Sequence, residues 1–383
     1  STLGCTITRQ VVDLRASIRR NEGNGFERFP FPGSDHQRCS VELRGKRSRG
    51  CVKRLGHLLL SLTDFSLARA IDDASITRTG IIATNDLDAV LATKPDCVVY
   101  TAMADNRLME ALEDYRRILA AGVNVVGSGP VFLQYPWQVI PDEMIAPLEN
   151  AAREGKSSLY VNGIDPGFAN DLFPLALMGT CQSIEQVRCM EIINYDTYDS
   201  ATVMFDVMGF GKPMDEIPML LQPGVLSIGW GSVVRQLAAG MGVELDGLEE
   251  MYVREPAPEA FDIASGHIPK GTAAALRFEV IGLVNGAPAV VLEHVTRLRD
   301  DMCPDWPQPA QEGGNYRIEI TGEPSYVLEL CLSSPNGDHN HAGVLATATR
   351  IVNAIPAVVA AEPGIRTTLD LPLVTGKGLY SAG

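Results

Sequence analysis

The chain has 383 residues, 45% of them hydrophobic, and a formal net charge of −15. Single cores stop growing near roughly 250–300 residues, so two domains are expected. The acidic balance argues against nucleic-acid phosphates or an anionic membrane as partners, and no apolar run reads as a bilayer span of about 18–20 residues.

The first residues lack the basic, apolar and small-residue succession of a signal peptide, so a cytoplasmic location is expected. The eight cysteines contain no CxxC pair, so no metal is expected. Residues 1–54 carry 12 Lys and Arg against 5 Asp and Glu, whereas the rest of the chain carries 20 against 42. Residues 1–78 form an atypical basic segment in which no helical or strand period is sustained over the Arg-, Ser- and Gly-rich part. A GxGxxG fingerprint after a first strand is absent. The sequence Gly23-Asn24-Gly25 runs into Phe26-Glu27-Arg28-Phe29 with no strand before it and no helix pattern after it.

From residue 79 the pattern becomes regular. Residues 79–84 read as a strand and 86–94 as a helix with Asn85 or Asp86 as N-cap. Residues 96–102, DCVVYTA, form a continuous apolar run of the kind buried on both faces of a parallel sheet. Residues 106–122 place Leu108, Met109, Leu112, Tyr115, Ile118 and Leu119 on one helical stripe, and 123–130 form another buried strand that leads into a glycine turn. Strand, helix and strand at this spacing make a βαβ unit and hence a parallel sheet. A helix over 141–155 and the strand SLYVN follow. Beyond residue 180, longer alternating runs, two of them joined at Asn285-Gly286, predict a mainly antiparallel sheet with a helix-rich insert around 214–242 and a long final helix over 342–361.

Ligands of parallel sheets bind beyond the carboxyl ends of the strands. Three consecutive strands here end in loops of small or polar residues: 101–106, 127–130 and 162–167. Each alone reads equally as a tight turn, and the last also as plain domain-linker chemistry. Phe132, Tyr135 and Trp137 suit either a core or an apolar pocket beside the glycine turn. His339 and His341 read as a capping turn before the last helix, and His267 and His294 as structural residues in or beside strands.

The blocks DCVVYTA…LAAGVNVVGS, GIDPGFANDLFP, GTAAALRFEVIG, VLEHVTR and NAIPAVVAAEPG…LDLPLVTG resemble the 2,4-diaminopentanoate dehydrogenase group. That group includes native NAD(P)-dependent amine dehydrogenases and is more distantly similar to dihydrodipicolinate reductase. The resemblance covers about residues 79–380, and residues 1–78 do not match it. It implies an α/β fold, with a Rossmann-like parallel sheet domain (79–160) and an α+β substrate and dimerisation domain with a mainly antiparallel sheet (161–341). The C-terminal helix and tail (342–383) would return to the first domain. The paired-histidine, lysine and SGT signature of dihydrodipicolinate reductases is replaced by MEIINYDTYDSATVMFDVMGFGK, which argues against that substrate.

The resemblance further implies NAD or NADP as cofactor, a small-molecule amine or ketone as substrate, and a homodimer formed mainly through residues 180–340. Thr101, Ala102, Met103, Gly127, Ser128, Gly129 and Asn353 are then expected at the cofactor. Phe132, Trp137, Asn162, Asp165, Tyr195 and Tyr198 are expected at the substrate; strand packing is the other reading of the two tyrosines. Asp105 is the expected catalytic carboxylate, holding an ammonium or iminium and moving its proton; helix capping is its other reading. Two further functions stay open: a reductase of another small imine or carbonyl, and a cofactor-deficient scaffold without the glycine loop.

Overall fold

A computed structural model describes residues 84–104, 107–335 and 337–380. The expected strand over 79–84 falls outside this range except for Thr84. The apolar runs that follow become β1 (Cys97–Tyr100), β2 (Asn124–Gly127) and β3 (Ser158–Val161). Their side chains are almost all buried because helices cover both faces of the sheet. The first helices are α1 (Leu87–Ala92), α2 (Leu108–Ala120) and α3 (Asp142–Gly155). Asp86 caps α1 by accepting from the Ala89 amide at 3.1 Å, as its sequence position predicts. Helix α2 buries Ala111, Leu112, Tyr115, Ile118 and Leu119. Met109, expected on that stripe, is 66% exposed, because the buried face runs through Ala111 instead.

The chain then crosses into a second layer. After α4 (Leu172–Met178) come β4 (Ser183–Asn194), the short helices α5 (Val225–Gly229) and α6 (Gly231–Met241), and β5 (Gly247–Pro256). The hairpin β6 (Phe261–Ile263) and β7 (Gly266–Ile268) precedes the long strands β8 (Ala273–Val284), β9 (Ala287–Arg297), β10 (Gly314–Glu323) and β11 (Tyr326–Leu330). Six strands form one sheet in the order β11-β10-β4-β9-β8-β5, in which only β4 and β9 run parallel. The β8–β9 turn uses Asn285 and Gly286 with φ of 52° and 74°, the left-handed pair that suits a tight hairpin. One face of this sheet carries Cys189, Phe278, Leu292 and Ile318 against Val233, Val234 and Leu237 of α6.

The chain finally returns through α7 (His339–Val359) to β12 (Gly364–Arg366), which adds to β3 and completes a parallel sheet of order β1-β2-β3-β12. Helix α7 is 21 residues long and apolar enough to cross a bilayer by length and composition alone, which corrects the reading of the sequence on this point. Its apolar face is taken up by the protein. Ile351, Ala354, Ile355 and Val358 pack on Cys97, Val99, Val126 and Tyr160 of the parallel sheet. Ile351 has no exposed surface, so Ile351→Ala should cost about 2–5 kcal/mol of stability, measured by chemical denaturation.

Candidate active site

Because β1, β2 and β3 are parallel neighbours, the loops after Tyr100, Gly127 and Val161 leave the same edge of the sheet. The loop after β3 is built by its turn residues. Asp165 is extended (φ −151°, ψ 120°), and Gly167 lies at φ 146°, ψ −129°, where any side chain is strained. A Cβ at Gly167 would also stand 3.0 Å from Asn162 Oδ1. This sharp path carries Asp165 away from the parallel sheet and onto the core face of the six-stranded sheet.

There the strand register has prepared a polar row. Val187 and Cys189 of β4 face the helices, and with a period of two Glu191 faces the same way. Glu191 lies directly opposite His294 of β9 and Tyr316 of β10, and His294 lies opposite Phe278 of β8. The His294 ring stacks on Phe278 at 4.9 Å with 4° between planes, and Trp230 meets both rings edge-on. His294 Nε2 forms an ion pair with Glu191 Oε2, and the Tyr195 hydroxyl donates to the same carboxylate oxygen at 3.1 Å. The Tyr316 hydroxyl also bonds Glu191. Asp165 Oδ1 accepts the Trp230 indole N–H at 3.0 Å.

The two carboxyls are driven apart electrostatically. Burial raises Asp165, and the Glu191 charge adds to this; His294 and the hydrogen bonds from Trp230 and Asn170 oppose it, leaving Asp165 at about 7. Burial also raises Glu191, but the His294 charge and its hydrogen bond outweigh that and hold it below the ordinary carboxylate range. His294 is raised, because Glu191 overcomes the burial that would favour the neutral ring. The result is an ionised Glu191, held by its donors, beside an Asp165 able to gain or lose a proton near neutrality. Asp165 keeps some accessible surface, whereas Glu191 and His294 are buried. Donor atoms of the three lie within 4.8 Å of one another, a spacing that could hold a metal ion and that no sequence motif announces. Three donors already occupy Glu191, which makes proton chemistry the better fit.

The structure distributes the other expected residues unevenly. Thr101 and Gly127 are buried and Ala102, Met103, Ser128 and Gly129 half-buried, all at the strand-end edge; Asn353 is half-buried on α7. Asp105 lies outside the described residues. Tyr195 reaches the cluster, and the Tyr198 ring packs on the Tyr195 ring at 5.1 Å, tilted by 30°. Asn162 does not stand free for substrate: its Oδ1 accepts from Arg350 and its Nδ2 donates to Asp171, both inside the protein. Phe132 is a core residue of the parallel domain, 3% exposed, and the Trp137 indole donates to Glu149 beside a separate surface cavity of about 420 Å³. His294, read as structural, and Glu191, passed over, stand in the buried cluster with Asp165. Their signal was a charged pattern inside otherwise apolar runs, CMEIINY and VLEHVTR.

The two glycines of the strand-end edge differ in the room they leave. A Cβ at Gly127 would strike the Tyr115 hydroxyl at 2.4 Å, so packing alone demands that glycine. A Cβ at Gly129 would meet nothing nearer than 3.9 Å, leaving open space where a ligand approaches the backbone. A pyrophosphate-binding glycine loop is not among the described residues.

The model of the 2,4-diaminopentanoate dehydrogenase C-terminal domain family matches residues 168–378, more than half of the chain. The chain belongs to this family. An amine dehydrogenase of Streptomyces virginiae is 41% identical over 297 residues, which cover 77% of this chain and 82% of that protein. The 2,4-diaminopentanoate dehydrogenase of Acetoanaerobium sticklandii is 24% identical over 273 residues, 70% of this chain and 72% of that protein. A solved amine dehydrogenase from Mycobacterium smegmatis shares the fold, with a TM-score of 0.65 and 23% identity over 82% of this chain and 86% of that one. The expected family, the α/β class with its parallel and mainly antiparallel sheets, and the oxidoreductase assignment therefore stand. Glu191, Tyr195 and His294 fall within the matched family segment, and Asp165 lies just before it.

Proposed function

We propose that the protein interconverts a small amine and its imine or ketone, using NAD or NADP. The observation that carries this reading is Asp165, a carboxyl poised near neutrality at the meeting of the strand-end edge and the substrate layer. The nicotinamide, when bound, accepts or returns a hydride. The chain must supply the rest. An ammonium cannot release hydride from its carbon until the nitrogen loses a proton, and a carboxyl of this kind takes it. Once Asp165 ionises, the cluster carries two carboxylates against the His294 cation, a net negative charge that favours a cationic amine or iminium over a neutral competitor. The aromatic rings of Tyr195, Tyr198 and Trp230 limit water beside the reacting centre. Asp105, which follows β1 in the sequence and lies outside the described residues, is the second carboxylate proposed to hold the nitrogen.

A homodimer accompanies this reading. It would form through the outer face of the six-stranded sheet, where Arg188 and Arg277 pair with Glu279 and Glu293 within the chain and hold a charged, ordered surface. Light scattering should give twice the chain mass.

The test is to supply NAD⁺ or NADP⁺ with a panel of small primary amines and alcohols and to follow reduced nicotinamide. Reduction with amines alone is the expected result. Reduction with alcohols alone would favour the carbonyl-reductase alternative, and no binding of cofactor up to millimolar concentration would favour the scaffold.

A further inference from the structure

Helix α7 grips the Asp165 loop at two points one turn apart. Thr347 Oγ1 accepts the Ile164 amide at 3.0 Å. Arg350 is 8% exposed, and its guanidinium donates from Nε to Asn162 Oδ1 at 3.0 Å and from Nη2 to the Tyr160 hydroxyl at 2.8 Å. It also lies 5.4 Å from the Phe168 ring centroid and 5.8 Å from that of Tyr160. The loop residues Asn162, Ile164 and Phe168 thus all meet the same face of one helix, with Asp165 between them. Behind them, Asp171 Oδ2 gathers donors from Asn162 at 2.8 Å, Thr368 at 2.6 Å and Gln236 at 3.3 Å. Arg350 Nη2 also reaches Thr368 Oγ1 at 3.4 Å, so the guanidinium is turned inward, onto the strand and loop that carry Asp165.

We infer that Arg350, with Thr347, is a positioning residue: α7 clamps the loop after β3 so that Asp165 is held against Glu191 and His294. The inference rests on the proposed role of Asp165. Around that carboxyl stand Glu191 and Cys189 of β4, His294 of β9, Tyr316 of β10, and Tyr195 and Trp230. Desolvation by this ring of groups depends on the loop staying closed. A guanidinium does what a lysine cannot, since its planar fork bonds two acceptors while its faces pack on aromatic rings.

The test uses Arg350→Lys and the milder Thr347→Val in the full chain, with two readouts. The first is Trp230 emission against pH, isolated by comparison with Trp230→Phe, since its indole donates to Asp165. Wild type should titrate near 7, and both variants should titrate lower as the loop opens and water reaches the carboxyl. The second is amine oxidation, in which kcat should fall by about 10²-fold for Arg350→Lys and less for Thr347→Val, with little change in amine KM. Variants that melt earlier yet keep the wild-type titration and the wild-type kcat per folded molecule would overturn the clamp and leave Arg350 a purely structural residue. A wild type that titrates near 7 but oxidises no amine would instead overturn the proposed reaction and leave the clamp standing.

Discussion

Asp165→Asn should lower amine turnover by about 10²–10⁴-fold, the usual worth of a positioned acid–base group. Asn keeps the shape and can still accept the Trp230 indole N–H, so cofactor affinity should change little. The same substitution should stabilise the protein in alkali. The folded state raises Asp165 from 3.8 to about 7, so between those values the native state binds more protons than the unfolded chain. Stability therefore falls as pH rises through that window, and above pH 7 the buried charge costs on the order of 1 kcal/mol or more. Asn removes the cost. The variant should melt higher than wild type at pH 8 and equal to it below pH 4, where both forms are neutral. A variant with near-normal turnover would move the proton role to Asp105.

Glu191→Gln and His294→Gln should displace the pH–rate profile in opposite directions. The Glu191 charge raises Asp165 and the His294 charge lowers it, so loss of the first shifts the Asp165 limb to lower pH and loss of the second to higher pH. His294→Gln also leaves Glu191 buried without its cationic partner, which costs about 3–5 kcal/mol. Stability would be read by denaturation beside the rate profile. Shifts of the same sign in both variants would mean that the limb belongs to another group.

The parallel half of the fold was legible because its strands are continuous apolar runs bounded by turn residues, and β1 to β3 lie where those runs occur. The crossover was legible for the same reason: Gly167 sits at a φ that only glycine adopts easily. Strand β12 was not, because three residues hold too little pattern and their partner β3 is remote in sequence. The heart of the site was hidden in a similar way. Glu191 and His294 are neighbours only through the parallel β4–β9 pairing, which periodicity within either strand cannot reveal. The inward partner of Asn162 was not legible either, since Arg350 comes from a helix near the end of the chain. Phe132 went to the core and Trp137 to the wall of a surface cavity, because aromatic side chains next to a glycine turn carry no mark that separates core from cleft.

The most direct measurement uses reduced NAD or NADP carrying deuterium at the transferable position of nicotinamide C4, ammonium and a small ketone. Mass spectrometry of the product should find an amine with one deuterium on the carbon that bears nitrogen. Deuterated alcohol instead of amine, or no labelled product at any cofactor concentration, would contradict the assignment.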